Sequence, residues 1–207
     1  MAAVMRPGNP AAGPAGGSDA ETIRSSLREP ERFAEIFDRY YPEIHGYAAR
    51  RLGPSLADDV AAETFLIAFD RRSRYDQSRP LARPWLYGIA SNLISRHHRA
   101  EVRQYRALAR VGPERPVDGP ADRAVVRIDA ESTRGRLAAA LAEIAPADRD
   151  VLLLVAWAGL NGEEAAQSLG IPAGTARSRL HRARTRLRSV LGGADPTQQG
   201  EDDRWTT

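Results

Sequence analysis

Apolar side chains recur every three or four residues along most of this chain, and no stretch shows the two-residue alternation of a strand. That rhythm confines the chain to an all-α fold. Five breakers, Gly112, Pro113, Pro116, Gly119 and Pro120, interrupt it in a polar stretch that no helix would tolerate. The expectation is two small helical domains, residues 19–108 and 122–191, joined by a flexible linker over 109–121. A chain of 207 residues is long enough for both to bury a core. Residues 1–18 are mostly Ala, Gly and Pro, and 192–207 are mostly polar, so neither end can offset the entropy of ordering; both are expected to be flexible.

In the first domain Phe33, Ile36, Phe37, Tyr40 and Tyr41 trace one helical face, and the pattern resumes after Pro42 with Ile44, Tyr47 and Leu52. Pro42 is expected to bend or restart that helix. Ser55 followed by Asp58 resembles a capping box opening a second helix, which is acidic at its start. A third helical segment is expected over about 83–107, with Trp85, Leu86, Ile89, Ala90, Leu93 and Ile94 on its packed side.

Composition narrows the function. With no cysteine, neither disulfides nor thiolate metal sites can hold the fold, and the histidines lack zinc-like spacing. The longest apolar run, Val151 to Leu160, is half of the roughly 20 residues a membrane span needs, and no secretory pattern opens the chain. A cytoplasmic protein without membrane insertion is expected. Nothing supplies a nucleophile with its base, a phosphate-gripping glycine loop, or a second acidic cluster to share a metal with Asp58, Asp59 and Glu63. No enzymatic activity, cofactor, metal or small-molecule substrate is therefore expected. Every cation other than histidine is arginine. Ten arginines lie between Arg71 and Arg110 against Asp76 and Glu101, and six lie between Thr175 and Leu191 with no acid, so two basic surfaces suit a long polyanion.

The sharpest local signal runs from Glu163 to Leu191. Glu163 to Leu169 reads as a short helix, Gly170-Ile171-Pro172 as a turn, and the rest as a longer helix, which is helix-turn-helix grammar. Ala166 is small enough for close helix approach, Gly170 can adopt the left-handed turn, and Ala176, Leu180, Ala183, Leu187 and Val190 form the packed stripe. That leaves Arg177, Ser178, His181, Arg182 and Arg184 facing outward. Arginine can pair bidentately with guanine, and serine and histidine add shorter contacts to base edges, so the first turns of this helix suit a major groove.

These residues together resemble the extracytoplasmic-function sigma factors, over about Glu31 to Leu191. In the second domain the likeness rests on Pro146, Arg149, Val151-Leu152-Leu153-Leu154, Gly159-Leu160, Glu163-Glu164, Leu169-Gly170-Ile171, Gly174 through Leu180, and Arg182-Ala183-Arg184. In the first it rests on Ala57-Asp58-Asp59-Val60 with Glu63-Thr64-Phe65, and on Trp85-Leu86-Tyr87, Ile89-Ala90 and Asn92. The chain departs from the family pattern at Ala62, where glutamine is common, at Gly162, where an aromatic is common, and at Ala165, where a larger aliphatic is common.

The resemblance implies a transcription initiation subunit that binds core RNA polymerase, recognises two promoter elements and promotes melting. By the same likeness Asp58, Asp59, Val60, Glu63 and Phe65 dock on core polymerase. Trp85, Tyr87, Ile89, Asn92, Ser95 and Arg96, with the loop around 75–83, capture the minus-ten element, where stacking and edge hydrogen bonds offset the cost of flipping a base. Thr175, Arg177, Ser178, Arg179, His181 and Arg182 read the minus-thirty-five element, and Arg149 adds a backbone contact. Regulation by an anti-sigma factor is a further family expectation that no residue here establishes. The rival reading is a stand-alone helix-turn-helix regulator with an N-terminal sensor or dimerisation domain, which leaves half the chain unexplained.

Overall fold

The computed structural model describes residues 18–110 and 133–191, and among these residues there are helices and no strands. The expected linker, apart from its first two residues, and the expected flexible ends, apart from Ser18, lie outside the described residues. Five helices form the N-terminal half: α1 (Asp19–Ser25), α2 (Ala34–Leu52), α3 (Pro54–Arg71), α4 (Arg83–Arg96) and α5 (His98–Arg110), with short 3-10 turns at Pro30–Phe33 and Arg72–Arg74. Among the described residues of the C-terminal half there are four: α6 (133–143), α7 (Pro146–Ala156), α8 (Gly162–Ser168) and α9 (Ala173–Leu191).

α2 continues through Pro42 without restarting. Only one helical N–H is lost there, while Ile36, Tyr40, Ile44, Tyr47, Ala48 and Leu52 stay buried on one face to either side, so packing holds the helix together. α3 begins at Pro54, ahead of the expected Ser55 cap. Gly53, at φ +86°, turns the corner between α2 and α3 and returns its N–H to the Ala49 carbonyl at 2.9 Å, and no side chain caps α3. With proline at the first helical position, the turn is set by backbone alone.

The expected third helix is two. At His97 the backbone leaves helical geometry, with φ −98° and ψ 21°, so α4 stops there and α5 runs from His98 to Arg110, two residues into the expected linker. The break lets α5 lay Glu101 and Tyr105 against Arg51 of α2: Arg51 Nε donates to Glu101 Oε1 at 2.6 Å, and the Tyr105 hydroxyl donates to the same oxygen at 3.2 Å. Asp19 is likewise buried as a clasp, accepting from the Tyr40 hydroxyl at 2.5 Å, from the Ala82 N–H at 2.8 Å and from Arg39.

In the C-terminal half Val151 to Val155 are all buried, which requires α7 to be enclosed on every side. α9 and α8 cover it, and α4 of the N-terminal half completes the enclosure. The two halves thus share one contiguous apolar core, with α8 lying on α4.

Candidate nucleic-acid interface

The helix-turn-helix is built from α8 and α9. A capping box starts α8: the Glu164 N–H donates to Asn161 Oδ1 and the Asn161 N–H to Glu164 Oε2, both at 2.8 Å. Gly170 takes φ +63° in the turn, and the Ile171 N–H reaches back to the Ala166 carbonyl at 3.0 Å. Ala176, Leu180, Ala183 and Leu187 are buried against α7 and α8. Arg177, Ser178, His181 and Arg182 are exposed on the opposite face, while Thr175 and Arg179 are half-buried at its edges.

Two arginines expected to face outward do not. Arg184 is buried, because four residues after Leu180 and one after Ala183 it falls on the packed flank of α9. Arg149 is completely buried: Nη1 donates to the carbonyls of Leu141 at 3.0 Å and Ile144 at 3.2 Å, and Nη2 donates to Glu101 Oε2 at 2.8 Å. In this arrangement it cannot reach a phosphate. Arg182 keeps its exposure but is held bidentately by Asp148, with Nε to Oδ2 at 2.9 Å and Nη2 to Oδ1 at 2.7 Å; that hydrogen bonding raises its already high pKa.

A second basic surface surrounds a cleft of about 350 Å³ between the 75–83 loop and α4. Arg71, Arg74 and Arg79 line it together with Trp85, Ile89 and Asn92. The loop is internally braced. Asp76 accepts from the Ser78 N–H and hydroxyl and from Arg79 Nε at 2.8 Å, and these bonds hold its carboxyl down to about 2. Tyr75 packs its ring 5.0 Å from that of Trp85 and donates its hydroxyl to the Arg79 carbonyl. A half-buried Trp85 and an exposed Asn92 thus offer a stacking face and an amide within one basic cleft. Ser95 and Arg96 continue the exposed side of α4, with Arg96 3.4 Å from Glu63.

Tyr87 is not part of this cleft. Its ring is buried edge-on against Tyr47 at 5.1 Å, and its hydroxyl donates to Glu43 Oε2 at 3.4 Å. At i+2 from Trp85 it points to the far side of α4, and burial pushes its phenol well up. Gln167 and Ser168 of α8, which sequence reasoning passed over, form the opposite wall of the cleft. Only the packing of the two halves brings them there.

On α3, Asp58, Asp59 and Glu63 are exposed, and Asp58 lies 2.9 Å from His45 Nε2. Val60 and Phe65 are buried, so they hold α3 on α2 rather than presenting a surface; Phe65 packs 5.0 Å from Phe37. Leu66, 61% exposed, and Phe37 add apolar surface to the same helix pair. The signal for Leu66 was its i+3 spacing from Glu63, which puts it on the acidic face.

Residues 36–104 match the family model Sigma-70 region 2, and residues 134–187 match Sigma-70, region 4. The chain is 32% identical over 163 residues to the RNA polymerase sigma factor CarQ of Myxococcus xanthus, covering 78% of this chain and 90% of that one. It is 30% identical over 184 residues to the ECF RNA polymerase sigma factor SigD of Mycobacterium tuberculosis, covering 85% and 84%. Among solved structures it is similar to CnrH in complex with the cytosolic domain of CnrY (TM-score 0.57, 22% identity, 84% of this chain and 97% of that one). It is also similar to RpoE bound to the anti-sigma factor NepR from Bartonella quintana (TM-score 0.53, 24% identity, 77% and 96%). Matching region 2 over residues 36–104 and region 4 over 134–187, and 30% identical to an ECF sigma factor over most of both chains, the chain belongs to the extracytoplasmic-function RNA polymerase sigma factors.

Proposed function

We propose that this sigma factor reads the upstream promoter element with the first three turns of α9, and that the cleft between the 75–83 loop and α4 receives a base of the minus-ten strand. Family membership makes the chain an initiation subunit and not an enzyme: it binds core RNA polymerase, recognises two promoter elements and promotes melting. The observation that carries the residue-level reading is the exposed row Arg177, Ser178 and His181 on a helix whose other face is locked onto α7 and α8. Such a helix can enter a major groove without repacking. The exposed acids Asp58, Asp59 and Glu63, flanked by Leu66, are the proposed docking face for core polymerase. The proposed domains remain 19–108 and 122–191, and Arg149, Tyr87, Val60 and Phe65 act by holding those surfaces in place. A cytoplasmic location goes with these partners, and an inhibitory anti-sigma protein is part of the same proposal.

The test is transcription from fragmented genomic DNA with purified chain and sigma-free core polymerase, mapping the starts. Starts that need both components and share two spaced upstream elements support the reading. Specific duplex binding by the chain alone, with no starts, would favour a stand-alone regulator.

A further inference from the structure

We propose that Asp19 is a positioning residue for the strand-reading cleft: from α1 it fixes the 75–83 loop and the first turn of α4, and so sets where Trp85 and Asn92 stand. The strand-reading half of this proposal rests on the reading of the cleft as the minus-ten strand site; the bracing half does not.

Three observations carry it. First, the Asp19 carboxylate is fully buried, although an acid in the first turn of a helix gains from the dipole in water too, as exposed Glu21 does. Burying a carboxylate is unfavourable unless hydrogen bonds and opposite charge offset it. The bonds that do so reach out of α1: Oδ2 accepts from the Tyr40 hydroxyl at 2.5 Å and from the Ala82 N–H at 2.8 Å, and Oδ1 accepts from Arg39.

Second, Ala82 opens α4, is completely buried and has no polar side chain, and α4 carries no side-chain cap of its own. A buried N–H left without an acceptor is costly. Asp19 supplies that acceptor from 63 residues away and places a negative charge at the positive end of the α4 dipole. Trp85 follows three residues after Ala82, and Asn92 lies two turns further along the same helix. The bond that fixes where α4 begins therefore fixes both cleft side chains.

Third, α1 meets the loop at its other end as well. The carbonyl of Ser26, at the C-cap of α1, accepts from Arg72 Nε at 3.4 Å, and α1 packs on the turn Arg72–Arg74. Asp19 also lies close enough to Tyr75 that, after burial, its charge helps to push that phenol up. α1 thus spans the loop that brings Tyr75, Asp76, Arg79 and Leu81 to the cleft. It lies outside the region 2 match, which begins at residue 36.

Two readouts on the full chain test this. Amide exchange across residues 75–85, followed by mass spectrometry, reads the brace without DNA. Base preference reads the cleft: the chain with sigma-free core polymerase is bound to fluorescein-labelled non-template strands of a promoter mapped by its transcription starts, with each minus-ten base replaced in turn. The position the cleft reads is the one whose preference Asn92→Ala lowers.

Asp19→Ala should speed exchange across 75–85 and lower base preference at that position by about 5-fold, the low end for a bidentate base contact, with helicity unchanged by circular dichroism. Asp19→Leu keeps the volume without an acceptor and carries the same expectation where the alanine variant does not fold. Asp19→Asn keeps one oxygen for the Ala82 N–H and should restore both readouts. Tyr40→Phe removes a different partner of the same oxygen, so it should lower the melting temperature and leave both readouts alone.

Unchanged exchange in the Ala and Leu variants would overturn the brace. Equal losses in Tyr40→Phe would do the same, since the effect would then follow stability and not the Ala82 bond. Faster exchange with base preference intact at the position that Asn92→Ala marks would overturn the strand-reading half. If Asn92→Ala lowers no preference, the reading of the cleft itself fails, and exchange alone decides the brace.

Discussion

Arg149→Ala separates two roles that one residue cannot hold in the same arrangement. If Arg149 contacts a phosphate, as its place in the family pattern implies, the substitution should leave stability alone and reduce the salt slope of promoter binding by about 0.9. The structure argues for a larger and different effect. The side chain is fully buried and holds the carbonyls of Leu141 and Ile144, at the end of α6, as well as the Glu101 carboxylate. Removing one partner of a buried pair costs about 3–5 kcal/mol. Glu101 would keep Arg51 and Tyr105, so its charge is not abandoned and the lower end, about 3 kcal/mol, is the expected cost. At a typical urea dependence of about 2 kcal/mol per molar, the unfolding midpoint should fall by roughly 1.5 M. Arg149→Lys should rescue little of this, because an ammonium cannot span two carbonyls and a carboxylate at once. A midpoint within about 0.3 M of the parent chain, together with a shallower salt slope, would refute the reasoning.

Asp59→Arg should weaken association with core polymerase in a gel-shift or co-elution assay without lowering the melting temperature, since Asp59 is exposed; normal assembly would remove it from the docking face. Arg177→Ala should cost about 1–3 kcal/mol at the upstream element if it makes a bidentate base contact, and an unchanged base preference at every position would reject that assignment. Gly53→Ala should cost about 1–3 kcal/mol in thermal or urea unfolding, because φ +86° with ψ 168° belongs to a region that only glycine occupies freely; an unaltered melt would show that the α2–α3 corner relaxes. The pH dependence follows from the tyrosines. Burial raises the phenols of Tyr40, Tyr47, Tyr75, Tyr87 and Tyr105 above the ordinary 10.0. The folded chain keeps these protons at a pH where the unfolded chain releases them. Their stabilising effect is therefore complete below about pH 10 and is lost as pH rises beyond it. A urea midpoint that stays flat from pH 9 to 11.5 would contradict this.

The legible part of the fold was the part governed by local rules. The α2 face, the Gly170 turn and the Ala176, Leu180, Ala183, Leu187 stripe all follow from spacing within one or two helices, and the structure has them there. What was misread depended on partners remote in sequence. Tyr87 and Arg149 lie in the right helices, but their surroundings come from Glu43 and Glu101, 44 and 48 residues away. No periodicity reports such a partner. The break at His97 carries no proline or glycine, so a run of apolar residues at helical spacing passed across it unmarked. At α3 two start signals competed, and the Gly53-Pro54 corner prevailed over the Ser55 side chain because a positive φ ends one helix and opens the next in a single residue.

The arginine-only composition reads differently once its members are placed. Counted along the chain, the guanidiniums look like a reserve for nucleic acid, yet the two most deeply buried ones, Arg51 and Arg149, hold protein carboxylates and carbonyls instead. A planar fork with five donors can serve two carboxylates or two carbonyls at once, which one ammonium does poorly. The same geometry gives Arg182 its double character. Exposed over 57% of its side chain, it already makes with Asp148 the two parallel hydrogen bonds that it would make with the edge of a guanine. Moving from one to the other exchanges one bidentate partner for another, so its net gain from reading a base is smaller than that of an arginine with no carboxylate to leave. If α9 reads the upstream element as proposed, Asp148 limits how strongly Arg182 can discriminate there, because the carboxylate must be given up first.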